Sequence, residues 1–272
     1  MVFRFSQAYL SAAAAFFSAL CTLIVPAAFA ASQCPEQYAG GVPPQITNPK
    51  LLPGFVELCA PHGTFATGYS MLVRDPLYSA EHITAAHIEE RAGRGRTNSF
   101  RADERLAPSW RAELNDYRGS SYDRGHLVPD SDSWSDETEA DTYVLSNMIP
   151  QAPRNNRGLH AHIEMAVRHF AQKVGEIYVI TGPIFASSDI VFLNDRVAVP
   201  DHIFKLVYLP SRNAAAAYFE RNTDGPEGQE YREVSLEQLN IIVGMNLLPG
   251  VKNVGFLKLP KPSGQGVIGE SK

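Results

Sequence analysis

The sequence predicts an α+β domain with a central, largely antiparallel sheet flanked by helices. Three observations carry the prediction. Residues 177–180 and 203–209 are β-branched and aromatic runs of strand length. The run at 203–209 is followed across a short polar link by another at 214–219, which suits an antiparallel pair. Leu159, Ile163, Val167, Phe170 and Val174 instead recur at helical spacing.

The elements follow in chain order. In residues 1–30 Arg4 is the only charged side chain, and an apolar stretch from Ala12 closes with Ala28-Phe29-Ala30. A basic start, an apolar middle and small residues at alternate positions read as a signal peptide cleaved before Ala31. The run is almost as long as the roughly 20 residues of a membrane span, so an uncleaved anchor is the alternative. Pro26 and the richness in alanine favour cleavage. A secreted or periplasmic protein follows, with no stable membrane association once the signal is removed. Cys21 would leave with the signal, and Cys34 and Cys59 remain as an even pair in an oxidising compartment. A disulfide between them is expected, contributing about 3 kcal/mol and pinning an irregular lead-in over 31–64.

The main domain is expected over 65–260. Residues 69–73 and 82–85 read as strands with a turn at Asp75-Pro76, and 91–121 as a polar surface loop with one short helix. The acidic stretch 130–141 lacks the glycine of an EF-hand loop and reads as a solvated loop and helix start. Residues 143–147 read as a buried strand or its end. The helix beginning near Asn156 places Asn156, His160 and Glu164 on one broad face, with Asn155 expected as its N-cap. The strand at 177–180 is expected to stop at Gly182-Pro183. Ser235-Leu236-Glu237-Gln238 is a capping-box start for a helix to about Met245. Residues 261–272 are expected to be a flexible tail.

The formal charge of −5 argues against a protein that coats nucleic acid through bulk charge. Local charge differs. Arg91, Arg94, Arg96, Arg101, Arg105, Arg111, Arg118 and Arg124 fall in one stretch nearly free of lysine, and Arg154 and Arg157 follow. Arginine's planar fork suits bidentate phosphate contacts, although a solvated charged face is the simpler reading of the run alone.

Within this stretch stand Asp123-Arg124-Gly125-His126, then 143–151 (Tyr-Val-Leu-Ser-Asn-Met-Ile-Pro-Gln), Asn155-Asn156-Arg157-Gly158 and Glu164. The four-residue motif and its sequels resemble the D-R-G-H signature of the DNA/RNA non-specific endonucleases. The resemblance runs in order over roughly 65–260, including 179–185 and 197–205. It implies the ββα-metal (His-Me finger) nuclease fold and metal-dependent phosphodiester hydrolysis of DNA and RNA without strong sequence preference.

Carried over residue by residue, the resemblance implies that His126 is the general base and Asn156 the single direct protein ligand of Mg²⁺, with Mn²⁺ as a substitute. Glu164 would hold metal-bound waters. Arg96 would contact phosphate, with Arg94 and Arg101 close enough to leave that register open, and Arg124 would bind phosphate or brace the loop. Asn147, Gln151 and Arg157 would shape or bind in the pocket, buried hydrogen bonding being the equal alternative for the first two. Asp123 would fix the turn. A homodimer and an inhibitor protein are both compatible with the resemblance.

One departure stands out: His160 occupies a position usually held by tryptophan. It opens a zinc-hydrolase alternative through His160, His162, Glu164 and His169. A secreted nucleic-acid-binding homologue without catalysis is the other alternative.

Overall fold

The computed structural model describes residues 31–91 and 95–263; the expected signal peptide, Arg94 and most of the expected tail lie outside them. Among the described residues the largest sheet contains β1 (Phe55–Cys59), β2 (Ala66–Ser70), β3 (Asp75–Thr84), β6 (Glu176–Ile184), β7 (His202–Leu209), β8 (Ala214–Arg221), β9 (Tyr231–Val234) and β10 (Gly255–Phe256). Two further strands, β4 (Asp123–His126) and β5 (Met148–Gln151), form a separate ribbon. The order across the large sheet is β9-β8-β7-β6-β3-β2-β1. Every one of those pairings is antiparallel, while β10 joins β8 in parallel.

The period of two along each strand gives this sheet two buried faces. Phe204, Leu206 and Tyr208 of β7 and Ala215 and Ala217 of β8 point to one face. There they pack with Tyr78 and Ala80 of β3, Ile180 of β6, Tyr38 of the lead-in and Leu239 of a helix at Leu236–Val243. Val207, Leu209, Ala214, Ala216 and Tyr218 point to the other face, beneath Leu159 and, in the helix Ala161–Val174, Ile163 and Val167.

Several expectations change. The turn between β2 and β3 falls at 71–74, where Arg74 takes a φ of 52°, so Asp75 and Pro76 already belong to β3. Tyr69 pairs with Pro76 beside an irregularity in the register, where a proline is tolerated. β6 runs through Gly182-Pro183 to Ile184, paired along β7 as far as His202; a glycine fits at 182 because a Cβ there would sit 2.5 Å from the Leu77 carbonyl oxygen and 2.7 Å from the Phe204 ring. The lead-in is irregular only in part, since its last residues form the edge strand β1; the Cys34–Cys59 disulfide ties the two portions, with Cα atoms 5.9 Å apart. Residues 145–147 form a turn, and the strand begins at Met148. The acidic stretch starts a helix as expected, Asp136–Thr142 capped by Ser135, but most of its carboxylates are not solvated. Asp130, Asp132, Glu139 and Asp141 are buried, each against a donor: Asp132 on Arg168, Glu139 on Thr97 and Asp141 on the backbone of His62.

Candidate active site

β4 and β5 pair antiparallel with His126 opposite Met148. The chain then turns directly into a helical segment: Pro153–Asn155, a π-turn over Asn156–His160, and Ala161–Val174. Two strands and a helix thus follow one another. Gly125 is required by close approach, as a Cβ there would lie 2.0 Å from Oε1 of Gln151. Ile203 meets Leu127 and Ile149 and seats the ribbon on the sheet. The buried Lys205 donates to the Leu127 carbonyl at 3.2 Å and to Thr181 at 2.7 Å, so an ammonium fixes the backbone next to His126.

A cleft of about 1010 Å³ opens over this unit, and Arg96, Arg124, His126, Asn156, Arg157 and Glu164 all line it. Phe100, Tyr117, Arg118, Tyr122 and Arg168 complete much of the wall. His126 is held between aromatic rings, edge-on to Tyr143 at 5.1 Å and tilted on Phe100 at 5.6 Å. Burial pushes its pKa down to about 4; Arg96, His160 and Arg124 add to the fall and Asp130 opposes it. The imidazole is therefore neutral, and able to accept a proton, throughout the neutral range.

Arg96 reaches Asp130 at 2.5 Å and the Tyr143 hydroxyl at 3.3 Å, and that hydroxyl donates to Asp130 at 2.8 Å. Burial works against the charge on Asp130, but Tyr143 and Arg96 hold its carboxyl below the ordinary range. Arg124 lies over the Phe100 ring, 4.2 Å from its centroid. Asp123 does more than fix the turn. It receives the Asn156 amide nitrogen at 2.9 Å and Arg157 at 2.8 and 2.6 Å. With its nitrogen committed to Asp123, Asn156 has its amide oxygen as the atom available to a cation. Glu164 brings a second oxygen donor to the same cleft; burial raises its pKa, while His160, Lys205 and Arg168 draw it back down. An all-oxygen donor set with few protein ligands suits a hard cation such as Mg²⁺.

Two of the expected pocket residues lie behind the cleft. Asn147 is fully buried; it accepts from the Val128 amide at 3.1 Å and donates to the carbonyls of Val128 and Thr142, bracing the turn after His126. Gln151, also buried, donates to Asn155 at 2.8 Å. Asn155 stands at the N-cap position of the π-turn but makes no side-chain cap there. Its amide bonds Glu220 and the Gly228 carbonyl, each at 3.0 Å. Arg101 turns away to the Ala140 carbonyl. The zinc alternative fails on geometry: His160 commits Nδ1 to Glu220 at 2.5 Å, and among the described residues no three His, Cys, Asp or Glu side chains are placed to share a metal. The sequence assigns no role to Asp130, Tyr143, Arg168 or Glu220. Tyr143 opens the 143–151 motif and Arg168 lies one helical turn beyond Glu164, so these two carried a signal.

The sequence profile of the DNA/RNA non-specific endonucleases matches residues 57–254. Endonuclease G, mitochondrial, of Bos taurus is 31% identical over 258 residues, covering 89% of this chain and 85% of its own length. Nuclease 1, mitochondrial, of Schizosaccharomyces pombe is 31% identical over 180 residues, covering 61% of this chain. The chain spans 53% of that relative and 64% of a mitochondrial nuclease of Saccharomyces cerevisiae. A solved structure of an EndoG/EndoGI complex, described as revealing the mechanism of EndoG inhibition, aligns with a TM-score of 0.61 at 27% identity. That alignment covers 70% of this chain and 85% of the other. Sequence profile, relatives and fold agree: the chain belongs to the DNA/RNA non-specific endonuclease family.

Proposed function

We propose that this protein is an exported, Mg²⁺-dependent endonuclease that hydrolyses DNA and RNA without strong sequence preference. One observation carries the reading: a neutral imidazole, His126, and an oriented amide oxygen donor, Asn156, open into the same arginine-lined cleft. His126 takes a proton from water, whose oxygen attacks phosphorus in line as the bond to the 3′-oxygen breaks, leaving a 5′-phosphate. Asn156 would hold the cation, with Mn²⁺ as a substitute, and Glu164 would orient water beside it. When bound, the cation neutralises charge on the scissile phosphate and on the departing oxygen.

Arg96, Arg124 and Arg157 supply fixed positive charge along the cleft, and phosphate contacts of this kind position a strand without reading its bases. The catalytic unit is assigned to 65–260, with 31–64 pinned to it and 261–272 as a tail. Export rests on the N-terminal signal pattern and on the disulfide, a bond of oxidising compartments. No helix among the described residues is long and apolar enough to cross a membrane. An inhibitor protein that closes the cleft is a natural partner for such an enzyme.

Nicking of supercoiled plasmid tests the proposal. Wild type is expected to cut with Mg²⁺ or Mn²⁺ and to stop in EDTA, and Asn156→Ala to require far more metal. Cutting that persists in EDTA removes the metal role. DNA binding without cutting under any metal favours the non-catalytic homologue.

A further inference from the structure

Glu220 and His160 have no part in the reaction proposed above, yet they form a buried ion pair, each side chain 1% exposed. Burying two charges is costly unless further polar contacts satisfy them. Those contacts lead toward the cleft. One Glu220 oxygen accepts a hydrogen bond from His160 Nδ1 at 2.5 Å; the other accepts from Asn155 at 3.0 Å, and Gln151 donates to Asn155 at 2.8 Å. Asn155 immediately precedes Asn156. On its far side His160 turns Nε2 toward Glu164 Oε1 at 3.5 Å, and that nitrogen is buried with no hydrogen-bond partner among the described residues.

We propose that the Glu220–His160 pair is a positioning device for the metal site. Through Asn155, Glu220 fixes the turn that presents Asn156. Through His160, it holds Glu164 in place at the cleft. β8 thereby steers two groups on a different element, and both are positioning residues rather than catalytic ones. Partners of this kind set metal affinity because they orient the groups that touch the ion and its waters. The inference rests on the metal reading above.

Two substitutions separate the links of the chain. In His160→Asn the amide nitrogen stands near the place of Nδ1, so the Glu220 contact is kept and the Glu164 contact is lost. In His160→Gln the nitrogen stands near the place of Nε2, and the reverse holds. Mn²⁺ binding is read from the electron paramagnetic resonance signal of the free ion, which needs no turnover, with thermal unfolding alongside. His160→Asn is expected to raise the Mn²⁺ Kd roughly tenfold at a near-wild-type melting temperature, and His160→Gln to raise it by clearly less. A Kd for His160→Asn within twofold of wild type, or equal rises in both variants, overturns the positioning role. If His160→Asn does not fold, Glu220→Gln decides: a roughly tenfold rise supports the device and an unchanged Kd overturns it. Wild type that binds no Mn²⁺, or Asn156→Ala that binds it as well as wild type, sinks the metal reading itself. Tight wild-type binding with an indifferent His160→Asn sinks only this inference.

Discussion

The two faces of the large sheet are built from the same strands but differ in chemistry. The face beneath the disulfide-pinned lead-in is largely dry: Tyr78, Ala80, Phe204, Leu206, Ala215 and Ala217 share one apolar cluster, beside which the Tyr38 hydroxyl donates to Glu57 at 2.7 Å. The opposite face starts out the same way under the long helix and then changes along each strand. Val207 gives way to Lys205, Tyr218 to Glu220, Val179 to Thr181 and Ile83 to Glu81. Lys205 pairs across with Thr181, while Glu220 stands opposite Ile203 and Glu81 opposite Val179, so the polar band runs obliquely across the strands. It lies at the end of the sheet that carries the β4–β5 ribbon. One face supplies stability; the other gives up dry packing to hold the cleft's side chains in place.

If that division is right, mutations on the two faces should separate activity from stability. The largest effect is expected for His126→Ala. Losing a general base costs roughly 10²–10⁴-fold, so plasmid nicking should fall by about 10³-fold while circular dichroism and unfolding stay near wild type. A variant that nicks normally ends the assignment of the base. Phe204→Ala on the dry face should do the opposite, costing about 3–5 kcal/mol in urea unfolding with kcat of the folded fraction unchanged. A smaller shift of the same kind is expected from Cys34→Ala with Cys59→Ala, about 3 kcal/mol in the chain-entropy view. Loss of turnover at full stability in either variant would break the division.

This contrast also explains what could be read from the sequence. The dry face was legible because apolar residues two apart in β7 and β8 mark a buried side by themselves. The polar band was not, since the same alternation labels Lys205, Glu81 and Glu220 as solvent-facing, although each is at most 2% exposed. His126, Asn156 and Glu164 could be found because they stand in the short motifs, Asp123–His126 and 155–164, that carry the family resemblance. Asp130 and Glu220 could not. Their roles come from tertiary contacts, in Glu220's case with His160, 60 residues away. Local punctuation misled in the same way: Gly182-Pro183 looks like a stop, but the strand continues because β7 stays paired with it as far as Ile184.

The two sides should also differ in their response to acid. An ordinary imidazole with a pKa near 6.5 is neutral in only about one molecule in ten at pH 5.5. His126, pushed down to about 4 by burial, keeps its base form there. The acid limb of kcat/KM is therefore expected well below pH 6.5, with activity falling only as His126 gains its proton near pH 4. A limb at 6.5 would mean that the imidazole is more hydrated than its aromatic cage implies. Stability shifts with the same sign. Between about pH 6.5 and 4 the unfolded chain takes up a proton that the folded one refuses, so this group lowers stability as the pH falls and costs no more below 4.

The smallest effect tests the rim, where neither face of the sheet reaches. Arg157 is 71% exposed and paired with Asp123, and exposed pairs of this kind contribute about 0–1 kcal/mol. Arg157→Ala should therefore leave unfolding almost unchanged. Its effect should appear in substrate binding, measured in a His126→Ala background so that DNA survives the titration. Each phosphate neutralised contributes about 0.9 to the slope of log K against log salt on duplex DNA. Removing Arg157 should weaken binding modestly and flatten that slope by about one unit. An unchanged slope would mean that Arg157 serves Asp123 alone. The guanidinium would then belong with Glu220 and His160, among the groups that orient the Asn156 amide without touching the strand.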